Sequence, residues 1–174
     1  MKLSENEKIL LFGKYYEALK SGVYNYAVKM LSDKETASDV MQNVFVKFFE
    51  HIENIREEEK IKVWIFKSAR NEIYGIYRKS GNSIFSKLDK TAIENISVGG
   101  FPYEKVEAAE LANILLDEVN KLSETSREVI LLREYAFLSY NEIAEITGVE
   151  INVVKSRLHK ARKKLIDKIS KLYR

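Results

Sequence analysis

The sequence predicts an all-α protein: two small helical bundles joined by a flexible linker, the C-terminal one containing a helix-turn-helix. Three observations carry that prediction. Apolar residues recur at helical spacing along nearly the whole chain of 174 residues. Seven glycines and a single proline leave too few turn residues for a barrel or sandwich of many short strands. Periodicity fades only once, between Lys79 and Tyr103, where Ser80, Gly81, Asn82, Ser83, Ser86, Ser97, Gly99, Gly100 and Pro102 cluster. The division is therefore 1–79, a linker over 80–103, and 104–174. A linker of that length is either mobile or functional, and its apolar groups Ile84-Phe85, Ile93 and Ile96 suit docking.

The elements follow in order. Leu3 to Met30 reads as one or two helices, with Ser21-Gly22 as a potential break. Ser32 and Glu35 form the Ser-x-x-Glu capping signature, so the next helix starts near Asp33. Its apolar positions Ala37, Val40, Met41, Val44, Phe45, Phe48 and Ile52 make one buried stripe. Lys60 to Arg78 is a third helix, in which Trp64 and Phe66 read as core. Beyond the linker, Tyr103 to Leu122 is helical, with Val106, Leu111, Ile114, Leu115 and Val119 inward. Ser123 or Thr125 caps a helix through about Glu134, burying Val129, Ile130 and Leu132. Ser139 and Glu142 make a capping box opening Tyr140 to Thr147, and Gly148 suits the left-handed residue that ends it. Ile151 to Lys168 is a long helix with Ile151, Val154, Leu158, Ala161 and Leu165 inward.

Charge is unevenly placed. From Lys155 to Arg174 nine Lys or Arg face one acid, a local charge of +8 within an overall +3. Ile61 to Ser80 carries a further +4. Such asymmetry fits a polyanion partner at two separated places; charge alone leaves solvated helix faces equally open. The C-terminal pattern goes further. A short helix with the small Ala144, a glycine turn and a second amphipathic helix constitute a helix-turn-helix, whose second helix enters the major groove. Helical rotation puts Asn152, Lys155, Ser156, His159 and Lys163 opposite the buried stripe, flanked by Arg157, Lys160, Arg162 and Lys164. A few polar side chains then meet base edges while many cations meet phosphates.

Enzyme chemistry finds no support. His51 and His159 are the only histidines, on different elements, and there is no His-Glu-x-x-His spacing, Gly-rich phosphate loop or cysteine. The residues indicate neither a catalytic centre nor a metal or cofactor. The N-terminus lacks the apolar core of a signal peptide, and the longest apolar runs are four residues, Ile9–Phe12 and Val63–Phe66 among them. A membrane span needs about 20, so no membrane insertion is expected, and the absence of cysteine fits a reducing cytoplasm.

The stretches Leu122 to Glu134, Leu138-Ser-Tyr-Asn-Glu-Ile-Ala-Glu-Ile-Thr-Gly148 and Val154-Lys-Ser-Arg-Leu-His-Lys-Ala-Arg-Lys-Lys-Leu165 resemble region 4 of bacterial sigma factors of the extracytoplasmic-function type. That resemblance implies binding of the −35 promoter element, with Asn152, Lys155, Ser156, His159 and Lys160 at base edges and Arg157, Arg162, Lys163 and Lys164 at phosphates. Glu150 stands where a Ser cap is common and Val153 where Thr is common, departures that bear on which promoter is read. The resemblance extends from about Phe12 to Lys79. Asp39-Val-Met-Gln-Asn-Val-Phe45 is similar to the family's Asp-x-x-Gln-x-x-Phe helix, which implies docking on core RNA polymerase (the β′ coiled coil, with the β subunit) through Asp39, Gln42, Asn43 and Lys47.

Val63 to Lys79 resembles the element that binds and melts the −10 region. Aromatic rings interleaved with cations suit unstacked bases. Asn71 is the candidate for hydrogen-bonding an extruded base, with Arg70, Tyr74, Arg78 and Lys79 beside it and the loop from Ile55 to Lys62 as a pocket wall. The large central domain of housekeeping sigma factors is absent between the two matches. The resemblance also implies an anti-sigma factor as a regulatory partner. A stand-alone helix-turn-helix repressor or activator is the competing reading, which the Asp39–Phe45 helix and the Asn71 segment oppose.

Overall fold

A computed structural model describes residues 3–80 and 113–172; the expected linker beyond Ser80 and the expected helix up to residue 112 lie outside them. All regular structure among the described residues is helical. Helix α1 (Glu5–Leu31) starts on a full capping box, in which the Ser4 hydroxyl accepts from the Glu7 amide at 3.3 Å and the Glu7 carboxylate accepts from the Ser4 amide at 2.8 Å. The Ser4 hydroxyl, donating to the Glu7 carboxylate at 2.6 Å, and then the Ser4 amide hold the Glu7 carboxyl below its ordinary pKa. No break occurs at Ser21-Gly22, since α1 runs through it. A Cβ at Gly22 would make only ordinary van der Waals contact, 3.4 Å from Cζ of Phe66 and 3.9 Å from the Ala136 backbone, so this position packs inward within an unbroken helix.

At Ser32 the backbone turns left-handed (φ 55°), with its amide donating to Val28. Helix α2 (Lys34–His51) begins one residue later than the Ser32 cap predicts. Asp33 is the cap, its carboxylate accepting from the amides of both Glu35 and Thr36, whereas Ser32 is committed to ending α1. The short corner folds α1 and α2 into an antiparallel hairpin. Phe48 is fully buried in that hairpin, with ring centroids 6.0 Å from Phe12, 6.1 Å from Tyr15 and 6.2 Å from Trp64. Two single 3-10 turns, Ile52–Asn54 and Glu58–Lys60, lead into α3 (Ile61–Ser80). The Tyr77 hydroxyl donates to the Met30 carbonyl, tying α3 to the end of α1.

The C-terminal bundle comprises helical residues 113–120 (α4), α5 (Glu124–Glu134), α6 (Tyr140–Thr147) and α7 (Ile151–Leu172). Ser123 occupies the cap position of α5, but its hydroxyl bonds Ser126 rather than a backbone amide. The Ser139–Glu142 capping box and the left-handed Gly148 (φ 71°) form as the sequence predicts. Helix α7 runs four residues past the expected Lys168, with Val154, Leu158 and Ala161 buried against α5 and α6.

Between α5 and α6, Phe137 is left-handed (φ 52°) and its ring is 79% exposed. A side chain costs about 1 kcal/mol or more in that backbone region, and little burial offsets it here. Phe137→Gly is therefore expected to stabilise the chain by about 1 kcal/mol, read as a higher urea midpoint at unchanged slope.

The two bundles are not apart. One apolar core runs from Val23, Tyr26 and Ile73 through to Leu122, Val129, Leu131 and Leu138. Helix α5 buries six consecutive residues, Arg127 to Leu132, because α7 and α6 pack on one side of it and the first bundle covers the other.

Candidate nucleic-acid interface

Helix α7 presents Asn152, Lys155, Ser156, His159, Lys160, Lys163 and Lys164 to solvent. Its first turn follows the Gly148 turn directly, so the capping box of α6 and the left-handed glycine together aim these side chains away from the core. Two of the expected phosphate cations differ from the rest. Arg157 is half-buried. Arg162 donates to Glu134 at 2.7 Å and to the Tyr140 hydroxyl at 3.5 Å, bonds that raise its pKa. Arg162 thus braces α7 against α5 and α6.

On α2, Asp39, Gln42, Asn43 and Lys47 are all exposed. They form one outward stripe, opposite buried Val40, Val44, Phe45 and Phe48, and Lys47 ion-pairs with Glu72 of α3.

Helix α3 divides its five expected residues between two directions. Asn71, Arg78 and Lys79 are exposed, while Arg70 and Tyr74 are half-buried and turned to the C-terminal bundle. The Arg70 guanidinium lies 4.3 Å from the centroid of the Tyr74 ring and donates to Glu128 through Nε at 2.8 Å and Nη2 at 3.4 Å. Burial works to lower the Arg70 pKa, but the Glu128 charge and hydrogen bond outweigh it and raise it. Burial, reinforced by Glu128, drives the Tyr74 phenol far above its ordinary range.

Near the first turns of α3 lies an open cavity of about 430 Å³, lined by His51, Asn54, Ile55, Lys60, Val63, Trp64, Lys67 and Glu145. The loop from Ile55 to Lys62 contributes Ile55 and Lys60 to it. Asn71, one helical turn beyond Lys67, is not among the lining residues. Phe66 is core, as expected, but Trp64 is only half-buried and gives this cavity an aromatic wall, with His51 edge-on to it at 6.1 Å. Sequence reasoning missed His51, Asn54 and Lys67. The spacing of Lys60, Val63-Trp64 and Lys67 is helical, a signal that these side chains share a face.

The bundles meet along a seam of charged contacts. Lys60 pairs with Glu145 at 2.7 Å, Lys62 with Glu142 at 3.6 Å and Arg70 with Glu128 at 2.8 Å. Lys62 also donates to the Phe137 carbonyl at 3.3 Å, and the Lys29 ammonium sits 4.5 Å from the Tyr135 ring centroid. Burial lowers the Lys29 pKa. Among the described residues, no helix is long and apolar enough to cross a membrane, and no cluster of three or more His, Cys, Asp or Glu is placed to hold a metal ion.

Comparison with known proteins places this geometry. Residues 15–82 match Sigma-70 region 2, and residues 112–165 match Sigma-70 region 4. The chain is 31% identical over 144 residues to the ECF RNA polymerase sigma-E factor of Haemophilus influenzae, covering 77% of this chain and 75% of that one. It is 29% identical over 161 residues to RNA polymerase sigma factor YlaC of Bacillus subtilis, covering 92% and 91%. Its fold is similar to that of the sigma factor RpoE from Bartonella quintana, solved in complex with the anti-sigma factor NepR. That match has a TM-score of 0.74 at 24% identity and covers 91% and 96% of the two chains. CnrH, solved with the cytosolic domain of CnrY, aligns with a TM-score of 0.61 at 21% identity, over 96% and 90%. Two region matches in order on one chain, and a relative of this identity over most of both lengths, make the chain a member of the ECF RNA polymerase sigma factors.

Proposed function

We propose that the chain directs core RNA polymerase to a specific set of promoters and opens them, with residues 1–79 docking on polymerase and capturing the −10 strand and residues 104–174 gripping the −35 duplex. The observation that carries this reading is the outward placement of two separate polar faces: Asp39, Gln42, Asn43 and Lys47 on α2, and Asn152, Lys155, Ser156, His159 and Lys160 on α7. The first suits the β′ coiled coil. The second suits duplex DNA, where polar groups read base edges and the exposed Lys163 and Lys164 contact phosphates. The cavity at the start of α3, with Trp64 for stacking and Lys60 and Lys67 for phosphate, suits an unstacked base of the non-template strand.

In this reading the chain is not itself an enzyme: the polymerase makes the RNA, and the sigma factor supplies placement and strand separation. It acts in the cytoplasm, where polymerase and promoter DNA are. Regulation by an anti-sigma factor is supported by RpoE, which was solved in complex with the anti-sigma factor NepR.

The test is direct. Mixed with core polymerase and run on a sizing column, the chain is expected to co-elute with it. Elution as free protein that still shifts duplex DNA would overturn the reading in favour of a stand-alone repressor. Asn71→Ala is expected to leave polymerase binding intact and to reduce permanganate reactivity around −10. Full reactivity would remove Asn71 from strand opening and leave the cavity residues to carry it.

A further inference from the structure

Of the glycines inside helices, Gly22 packs inward against Phe66, and Gly75 does not pack. Gly75 lies in the middle of α3, in ordinary helical backbone. Among the described residues, and apart from the local helix backbone, the one atom within 4 Å of a Cβ built there is Nη2 of Arg78, at 3.8 Å. That atom is the far end of a flexible side chain, so the fold has room for an alanine. Glycine is nonetheless a much poorer helix former than alanine. The chain therefore keeps, in the interior of α3, a destabilising residue that its own packing does not require.

Its neighbours on the helix surface supply a reason. Asn71 stands four residues before it, Arg78 three and Lys79 four after it, all on one face and all exposed. Neither cation is ion-paired with a described residue, whereas Lys62 and Arg70 of the same helix are both paired. Gly75 is thus a bare stretch of helix surface one turn, about 6 Å, from the candidate for an extruded base, with two uncommitted cations at its other edge. Gly13 marks the contrast. A Cβ there would also meet open space, but its neighbours on the helix surface are Ile9, Leu10, Tyr16 and Glu17, none of them a cation.

We infer that Gly75 is the seat of the captured strand's sugar-phosphate backbone: with no side chain in the way, a phosphodiester lies directly on α3 between Asn71 and Arg78, and the Arg78 guanidinium turns from Gly75 onto the phosphate. Gly75 is then a positioning residue. It sets how closely the strand approaches the helix, and so whether a base reaches Asn71. The inference rests on the strand-capture reading given above and adds to it the place where the backbone, rather than a base, is held.

The test uses the full chain with core polymerase, on a promoter that the parent holoenzyme selects from random-sequence DNA. The probe is a fluorescent single strand of about 15 nucleotides carrying that promoter's non-template −10 sequence, within the reach of a basic strand-binding groove. Gly75→Ala and Gly75→Leu add bulk without changing charge, and both replacements are better helix formers than glycine. Arg78→Ala with Lys79→Ala tests the strand-capture reading itself. Gly13→Ala controls for a gain in helix stability alone.

Both Gly75 variants are expected to raise the urea midpoint of the full chain, by about 0.5 M for alanine, and to co-elute with polymerase as the parent does. They are expected to bind the probe more weakly all the same, at least about fivefold for alanine and more for leucine, with less permanganate reactivity around −10. Gly13→Ala should share the first effect and not the second. Lower urea midpoints in both Gly75 variants would mean that the fold itself needs the glycine, and would overturn the inference. Parent-like probe binding by Gly75→Leu, or an equal loss in Gly13→Ala, would overturn it too; if Arg78→Ala with Lys79→Ala still weakens binding, strand capture stands. Parent-like binding by every variant, that pair included, would overturn both.

Discussion

Replacing Phe48 by alanine is expected to remove about 3–5 kcal/mol of folding free energy, a large part of the 5–15 kcal/mol that holds a typical domain together. The ring is wholly buried among Phe12, Tyr15 and Trp64, where α1, α2 and α3 converge. Its removal deletes burial and edge-on ring packing together and leaves a void that neighbouring rings cannot collapse to fill. Urea denaturation followed by far-ultraviolet circular dichroism checks it: the midpoint should fall steeply in Phe48→Ala and much less in Phe48→Leu, which keeps most of the volume. Equal losses in the two would mean that the cluster depends on aromaticity rather than on filled space.

The second large effect belongs to α7. Lys155→Ala combined with His159→Ala is expected to lower discrimination for the −35 duplex by about 1–3 kcal/mol for each base-edge hydrogen bond removed. That corresponds to roughly fivefold to more than a hundredfold per contact between the preferred site and a scrambled one. Both side chains are exposed, one turn apart on the solvent face, so the fold and co-elution with polymerase should be unaffected. Lys164→Ala gives the contrast. As a phosphate ligand, it should weaken binding to all duplexes alike and reduce the salt slope by about one phosphate. Electrophoretic mobility shifts at several salt concentrations separate the two outcomes. Unaltered site preference in the double variant would move base readout to Asn152, Ser156 and Lys160.

Most of this architecture is legible from local pattern. The Ala37–Ile52 stripe, the Ser139–Glu142 box and Gly148 each involve residues within about a turn of one another, and each forms as expected. Ser32 misleads because two residues in succession can cap, and the preceding helix has first claim on it. Gly22 misleads because a single glycine is tolerated inside a helix that tertiary packing holds, and α1 runs on past it. The pairing of Arg70 with Glu128 spans 58 residues of sequence, beyond any helical period. One clue to it is present. Val129-Ile-Leu-Leu132 is four apolar residues in a row, and a helix apolar on every side must be covered on every side. The covering element is the first bundle, so the sequence implies a second wall to the interdomain seam without identifying it.

The three ionic links between the bundles differ in shelter. Side-chain exposure is 50% and 45% for Lys60 and Glu145, 29% and 26% for Lys62 and Glu142, and 25% and 1% for Arg70 and Glu128. Mobile counterions screen accessible charges within a Debye length of about 8 Å at physiological ionic strength, and sheltered ones far less. Rising salt therefore frays the outer edge of the joint while its inner edge still grips. The two outer pairs, which tie α6 to the first bundle, are thus expected to loosen at lower salt than the Arg70–Glu128 pair on α5.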